Sequence, residues 1–81
     1  VWPNPMSEKG NIGFSLLQAC QVKLSILDLT GREVLKEEYG WLDEGYHVSG
    51  IQTNDLMSGN YLYLLSSTSG VLYKGKISIQ K

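Results

Sequence analysis

Short alternating apolar runs, each closed by a turn signal within about ten residues, constrain this chain more than any other feature. Ile12, Phe14 and Leu16 alternate with Gly13, Ser15 and Leu17, and Val22, Leu24 and Ile26 alternate with Lys23 and Ser25. Successive side chains of a strand point to opposite faces, so each run predicts a strand with one buried side. Asp28-Leu29-Thr30-Gly31-Arg32 interrupts the pattern, and Gly31 is free to take the positive φ of a bulged hairpin turn. Glu33 to Tyr39 reads as the return strand with Val34 facing in, and Leu42-Asp43-Glu44-Gly45 as the next turn.

From Tyr46 to Ile51 the pattern admits two registers. Either Tyr46 and Val48 face the core, or His47, Ser49 and Ile51 do. Gln52 to Ser58 reads as a corner pinned by Leu56. Tyr61, Tyr63 and Leu65 share one face of the following strand, which leaves Leu62 and Leu64 partly exposed on the other. After Ser67-Thr68-Ser69-Gly70, the last strand places Tyr73, Gly75, Ile77 and Ile79 on one face and Lys74, Lys76, Ser78 and Gln80 on the other. A short edge segment surrounds Trp2, because Pro3 and Pro5 cannot donate ladder hydrogen bonds. A single alanine against nine glycines disfavours helices. The expected fold is all-β, an antiparallel sandwich of about seven short strands forming one domain over residues 1–81.

Size and charge narrow the function. A chain of 81 residues buries about 60–65% of its unfolded surface, enough for one modest core. Seven basic and eight acidic residues give a net charge of −1, without the long-range positive field that nucleic-acid binding needs. The longest uncharged stretch, Leu56 to Tyr73, contains Asn60, five serines and threonines and two glycines, and reads as strands and a turn rather than a membrane span. No signal peptide opens the chain, and a start at Val1 rather than Met suggests a piece of a longer polypeptide.

Catalytic chemistry is poorly supplied. His47 is the only histidine, no nucleophile-elbow motif surrounds a serine, and Cys20 is the only cysteine. Glu37-Glu38 and Asp43-Glu44 are adjacent pairs, which strand geometry sends to opposite faces. Asp43, Glu44 and Asp55 could form a calcium site only if the fold gathered them, and no ligand spacing supports it. Neither an enzyme, a cofactor nor a metal is expected. Charge is nevertheless segregated: residues 33–44 carry a net −4 and residues 71–81 a net +3. Lysines on a terminal strand protect an exposed edge, or offer it to a partner.

Pro3-Asn4-Pro5, Asp28-Leu29-Thr30-Gly31-Arg32, Leu56-Met57-Ser58-Gly59-Asn60-Tyr61 and the closing Lys76-Ile77-Ser78-Ile79-Gln80-Lys81 occur in an order that resembles the type A C-terminal sorting domain of the type IX (Por) secretion system of Bacteroidetes. The resemblance covers essentially the whole chain. It implies an Ig-like sandwich and a non-catalytic signal that directs a secreted parent protein from the periplasm across the outer membrane, to the cell surface or beyond. It implies type IX secretion components and a surface sortase-like peptidase as partners. Of the motif residues, Pro3, Asn4, Pro5, Asp28, Gly31, Arg32, Leu56, Gly59 and Tyr61 are expected to be mainly structural, with Tyr61 forming a tyrosine corner. Lys76, Ile77, Ile79 and Lys81 are the expected recognition residues. The alternative is an Ig-like accessory module of an extracellular hydrolase, a spacer or a carbohydrate-binding domain using Trp2, Tyr39 and Trp41.

Overall fold

Each alternating run becomes a strand in the computed structural model, which describes residues 1–81. The order is β1 (Lys9–Leu16), β2 (Cys20–Leu27), β3 (Glu33–Leu42), β4 (Gly45–Gln52), β5 (Gly59–Ser67) and β6 (Gly70–Ile79). β1 and β4 form a two-stranded antiparallel sheet, and the remaining strands form a four-stranded one in the order β3-β2-β5-β6. The expected count of about seven strands becomes six. The segment around Trp2 contributes only isolated bridges, from Trp2 to Asn11 and from Met6 to Ile79, because its two prolines interrupt the donors of a continuous ladder.

The sheets face each other over one apolar core. Ile12, Phe14, Leu16 and Ile51 enter from the two-stranded sheet, and Val22, Leu24, Ile26, Tyr61, Leu65, Ile77 and Ile79 from the four-stranded one. Met6 and Leu56 close it from outside the strands. Fully burying an aliphatic side chain stabilises by about 1.5–3 kcal/mol, so this cluster is the main source of stability. The open register of β4 is decided by pairing with β1. Ile51 is buried, His47 and Ser49 are half-buried, and Tyr46 and Val48 face solvent. Leu62 is exposed and Leu64 half-buried on the outer face of β5.

Connections alternate between two ends of the sandwich. The residues 17–19, 43–44 and 68–69 turn at one end. At the other lie the 28–32 turn, the 53–58 corner, the N-terminal segment and the C-terminus, as the Leu27↔Leu62↔Lys76 register and the Met6–Ile79 bridge require.

Candidate functional site

The four sequence motifs are scattered along the chain, yet the topology gathers all of them at that second end. The Asp28–Arg32 turn is the most locally determined. The Asp28 carboxylate accepts from the Thr30 hydroxyl and from the Thr30 and Arg32 backbone N–H groups, both at 3.0 Å. Arg32 Nε lies 3.3 Å from its other oxygen, and Gly31 supplies a φ of 91°. The Thr30 hydroxyl first, then the Arg32 N–H, hold the Asp28 carboxyl below the usual aspartate range.

The 53–58 corner depends on longer-range contacts. Leu56 N–H donates to the Thr53 carbonyl at 3.0 Å, and the buried Leu56 side chain anchors the loop. Tyr61 hydroxyl donates to the Met57 carbonyl at 2.6 Å, which makes the expected tyrosine corner. Fully buried Thr53 ties the corner to the N-terminal segment, through its N–H to Glu8 and its hydroxyl to Ser7.

Pro3-Asn4-Pro5 spans the two sheets. On one side Trp2 exchanges hydrogen bonds with Asn11 of β1, at 2.9 and 2.7 Å. On the other, Met6 N–H donates to the Ser78 carbonyl and Gln80 N–H to the Met6 carbonyl, each at 2.9 Å. Asn4 Oδ1 accepts from Ser78 N–H at 3.0 Å. The motif therefore closes the last part of the β6 edge. Gly10 makes this possible, because a Cβ there would sit 2.7 Å from the Met6 sulfur.

The expected recognition residues separate into two kinds. Ile77 and Ile79 are core residues, 1% and 2% exposed, and fix the strand in place. Lys76 is exposed on the outer face. Lys81 donates from its backbone to Ser58 Oγ at 3.0 Å and from Nζ to the Asn54 carbonyl at 2.6 Å, so the last residue rests on the corner. Met6 and Thr53 were not legible as members of this assembly, because their partners are distant in sequence.

Other candidates disperse. Asp55 lies at the motif end and Asp43 and Glu44 at the opposite one, so the three carboxylates do not converge. His47 stacks on Phe14 at 5.7 Å and donates from Nε2 to the Asp43 carbonyl at 2.6 Å, a structural placement. Half-buried Cys20 lines a cleft between the sheets with Leu16 and Tyr73. Tyr39 stacks on Phe14, and burial first, then the charge of Glu37, pushes its phenol upward. Trp2 lies against Gly13 on the two-stranded sheet, whereas Trp41 sits opposite Gln21 on the outer face of the four-stranded one. The three aromatics do not form a row for stacking on a sugar.

What remains is a surface built from four motifs at one end of the sandwich. A family model described as the secretion system C-terminal sorting domain matches residues 1–80. The chain belongs to that family. It is a C-terminal sorting signal for type IX secretion, exported toward the cell surface or medium, and the family is not a catalytic one. No curated protein and no solved structure matches the sorting domain. None of its elements is a helix long and apolar enough to cross a membrane.

Proposed function

We propose that type IX components read the sorting domain as a folded unit of residues 1–81, at the motif end, chiefly through Lys76 and Lys81. In this reading the parent protein passes through the periplasm and outer membrane, and a sortase-like peptidase then acts at the cell surface. The domain itself performs no catalysis and takes no cofactor.

One observation supports the reading above others: three motifs far apart in sequence, Pro3-Asn4-Pro5, the corner up to Tyr61 and the closing Lys76–Lys81 segment, are tied together by hydrogen bonds, with the Asp28–Arg32 turn at the same end of the sandwich. Ile77 and Ile79 serve recognition indirectly, by holding Lys76 and Lys81 at fixed positions.

The test fuses the domain to a reporter in a type IX host and compares it with Lys76→Ala/Lys81→Ala. The double variant keeps its core and should retain a cooperative melt. Surface delivery should fall at least about tenfold, equivalent to about 1.4 kcal/mol of capture energy. Normal delivery of the folded double variant would remove both lysines from recognition.

A further inference from the structure

The β6 edge is closed over only part of its length. In an antiparallel strand, alternate residues direct both backbone groups to the same side. Ser78 N–H and C=O point outward, to Asn4 and Met6. By alternation, Lys76 and Lys74 also point outward, and no backbone or side-chain hydrogen bond outside the β5–β6 ladder reaches them. Beyond the N-terminal segment, then, the strand presents an unpaired edge from Tyr73 to Lys76, which ends at Leu72, where the register to β5 shifts.

Side chains around this edge specify a chemistry. Lys74 and Lys76 lie opposite Leu64 and Leu62 on the outer face, and neither takes part in the two ion pairs of the molecule, Arg32–Asp28 and Lys36–Glu38. Between them Gly75 leaves the inner face bare, and the Tyr63 ring fills that space, 2.6 Å from where a Cβ would stand. An added strand would set one residue beside each lysine on the outer face and one beside Tyr63 on the inner face.

We infer that the Tyr73–Lys76 edge of β6 is a strand-addition site for an extended acidic segment of a partner protein, with the pattern acid–apolar–acid. This rests on the reading of the domain as a sorting signal recognised by other proteins. Backbone pairing supplies the attachment, and alternate side chains the selectivity. The same lysines repel basic strands, so edge protection and partner choice are one device. A second copy of this chain fits less well. Its acidic edge strand β3 places Lys36 and Glu38 on the matching face, already paired with each other at 3.7 Å.

The probe is a terminally blocked seven-residue peptide of alternating Glu and Val, titrated against the intact domain. Amide exchange at Lys74 and Lys76 should slow at least about tenfold at saturation, and added salt should weaken the effect. A peptide with Lys in place of Glu, or with a central Pro, should leave those amides unchanged. Lys74→Glu/Lys76→Glu should reverse the preference to the lysine peptide, and this reversal does not depend on export. Equal protection by both peptides, protection confined to β3 or β4, or no protection at saturation would overturn the site. Concentration-dependent self-association that protects the same amides without peptide would assign the edge to a second copy, and equally overturn it. The Lys76→Ala/Lys81→Ala export assay tests the sorting reading separately, because the peptide result needs no secretion host.

Discussion

The motif end of the sandwich and the end opposite are held by different means. All eight backbone hydrogen bonds outside the strands belong to the N-terminal segment, the Asp28–Arg32 turn and the 53–58 corner. The opposite end is tied mainly through side chains: Tyr73 hydroxyl to the Ser15 carbonyl at 2.8 Å, His47 to Asp43, and Ser67 with Ser69. Exposed apolar side chains do not distinguish the ends, since Leu17 is uncovered at this one and Leu29 and Met57 at the motif end. One end is a fixed arrangement of four chain segments, and the other is a set of ordinary turns. A surface that must be recognised repeatedly gains from fixed geometry, since groups already ordered lose less entropy on binding.

Four substitutions probe that contrast. The largest effect is expected at Met6, 1% exposed and the only core side chain of the N-terminal segment besides half-buried Val1. Met6→Ala should lower unfolding free energy by about 2–5 kcal/mol. A denaturation midpoint unchanged from wild type would mean that the segment is not docked in solution.

Tyr61→Phe comes next, because it leaves the Met57 carbonyl without its donor. The expected loss is about 1–2 kcal/mol by thermal or urea unfolding. Equal stability would show that the corner is held without this bond, by buried Leu56 and Thr53.

Acid should separate the ends more gently. The folded-state pKa of Asp28 lies below its ordinary value of 3.8. Its stabilising contribution is therefore complete above that value and lost as pH falls through the lower folded value. The melting-temperature gap between wild type and Asp28→Asn should be constant near neutrality and should shrink below pH 3.8. A gap independent of pH would assign the turn to Gly31 geometry rather than to the carboxylate.

The smallest effect belongs to the opposite end. Leu17→Ser should change stability by no more than about 0.5 kcal/mol, since the side chain has almost nothing to lose. A larger loss would show that this end is packed more tightly than its exposure indicates.

Local pattern accounts for much of the molecule. The runs at Ile12–Leu16 and Val22–Ile26 become β1 and β2 because period-two alternation is itself the condition for a half-buried strand. The Asp28–Arg32 turn was legible for the same reason, as its hydrogen bonds close within four residues. Tyr61 was legible because its acceptor, Met57, also lies four residues away.

Distance in sequence marks where legibility ends. The β4 register could not be read from residues 46–51, where Tyr46 and Val48 lie on one face and Ile51 on the other; pairing with β1 decided it. Ile77 and Ile79 carried the family pattern of a terminal strand, and only the packed fold shows that both side chains are buried in the core. Asn4 and Ser78 are 74 residues apart, and nothing local to either announces the bond between them. Local pattern was enough to specify an all-β sandwich, its turns and the family it belongs to. Only the folded chain places the four motifs at one end and lets the N-terminal segment close Ser78–Gln80 while leaving Lys74 and Lys76 open. Alternation and turn chemistry act between neighbours, whereas edges are closed by segments that meet only after the chain has folded.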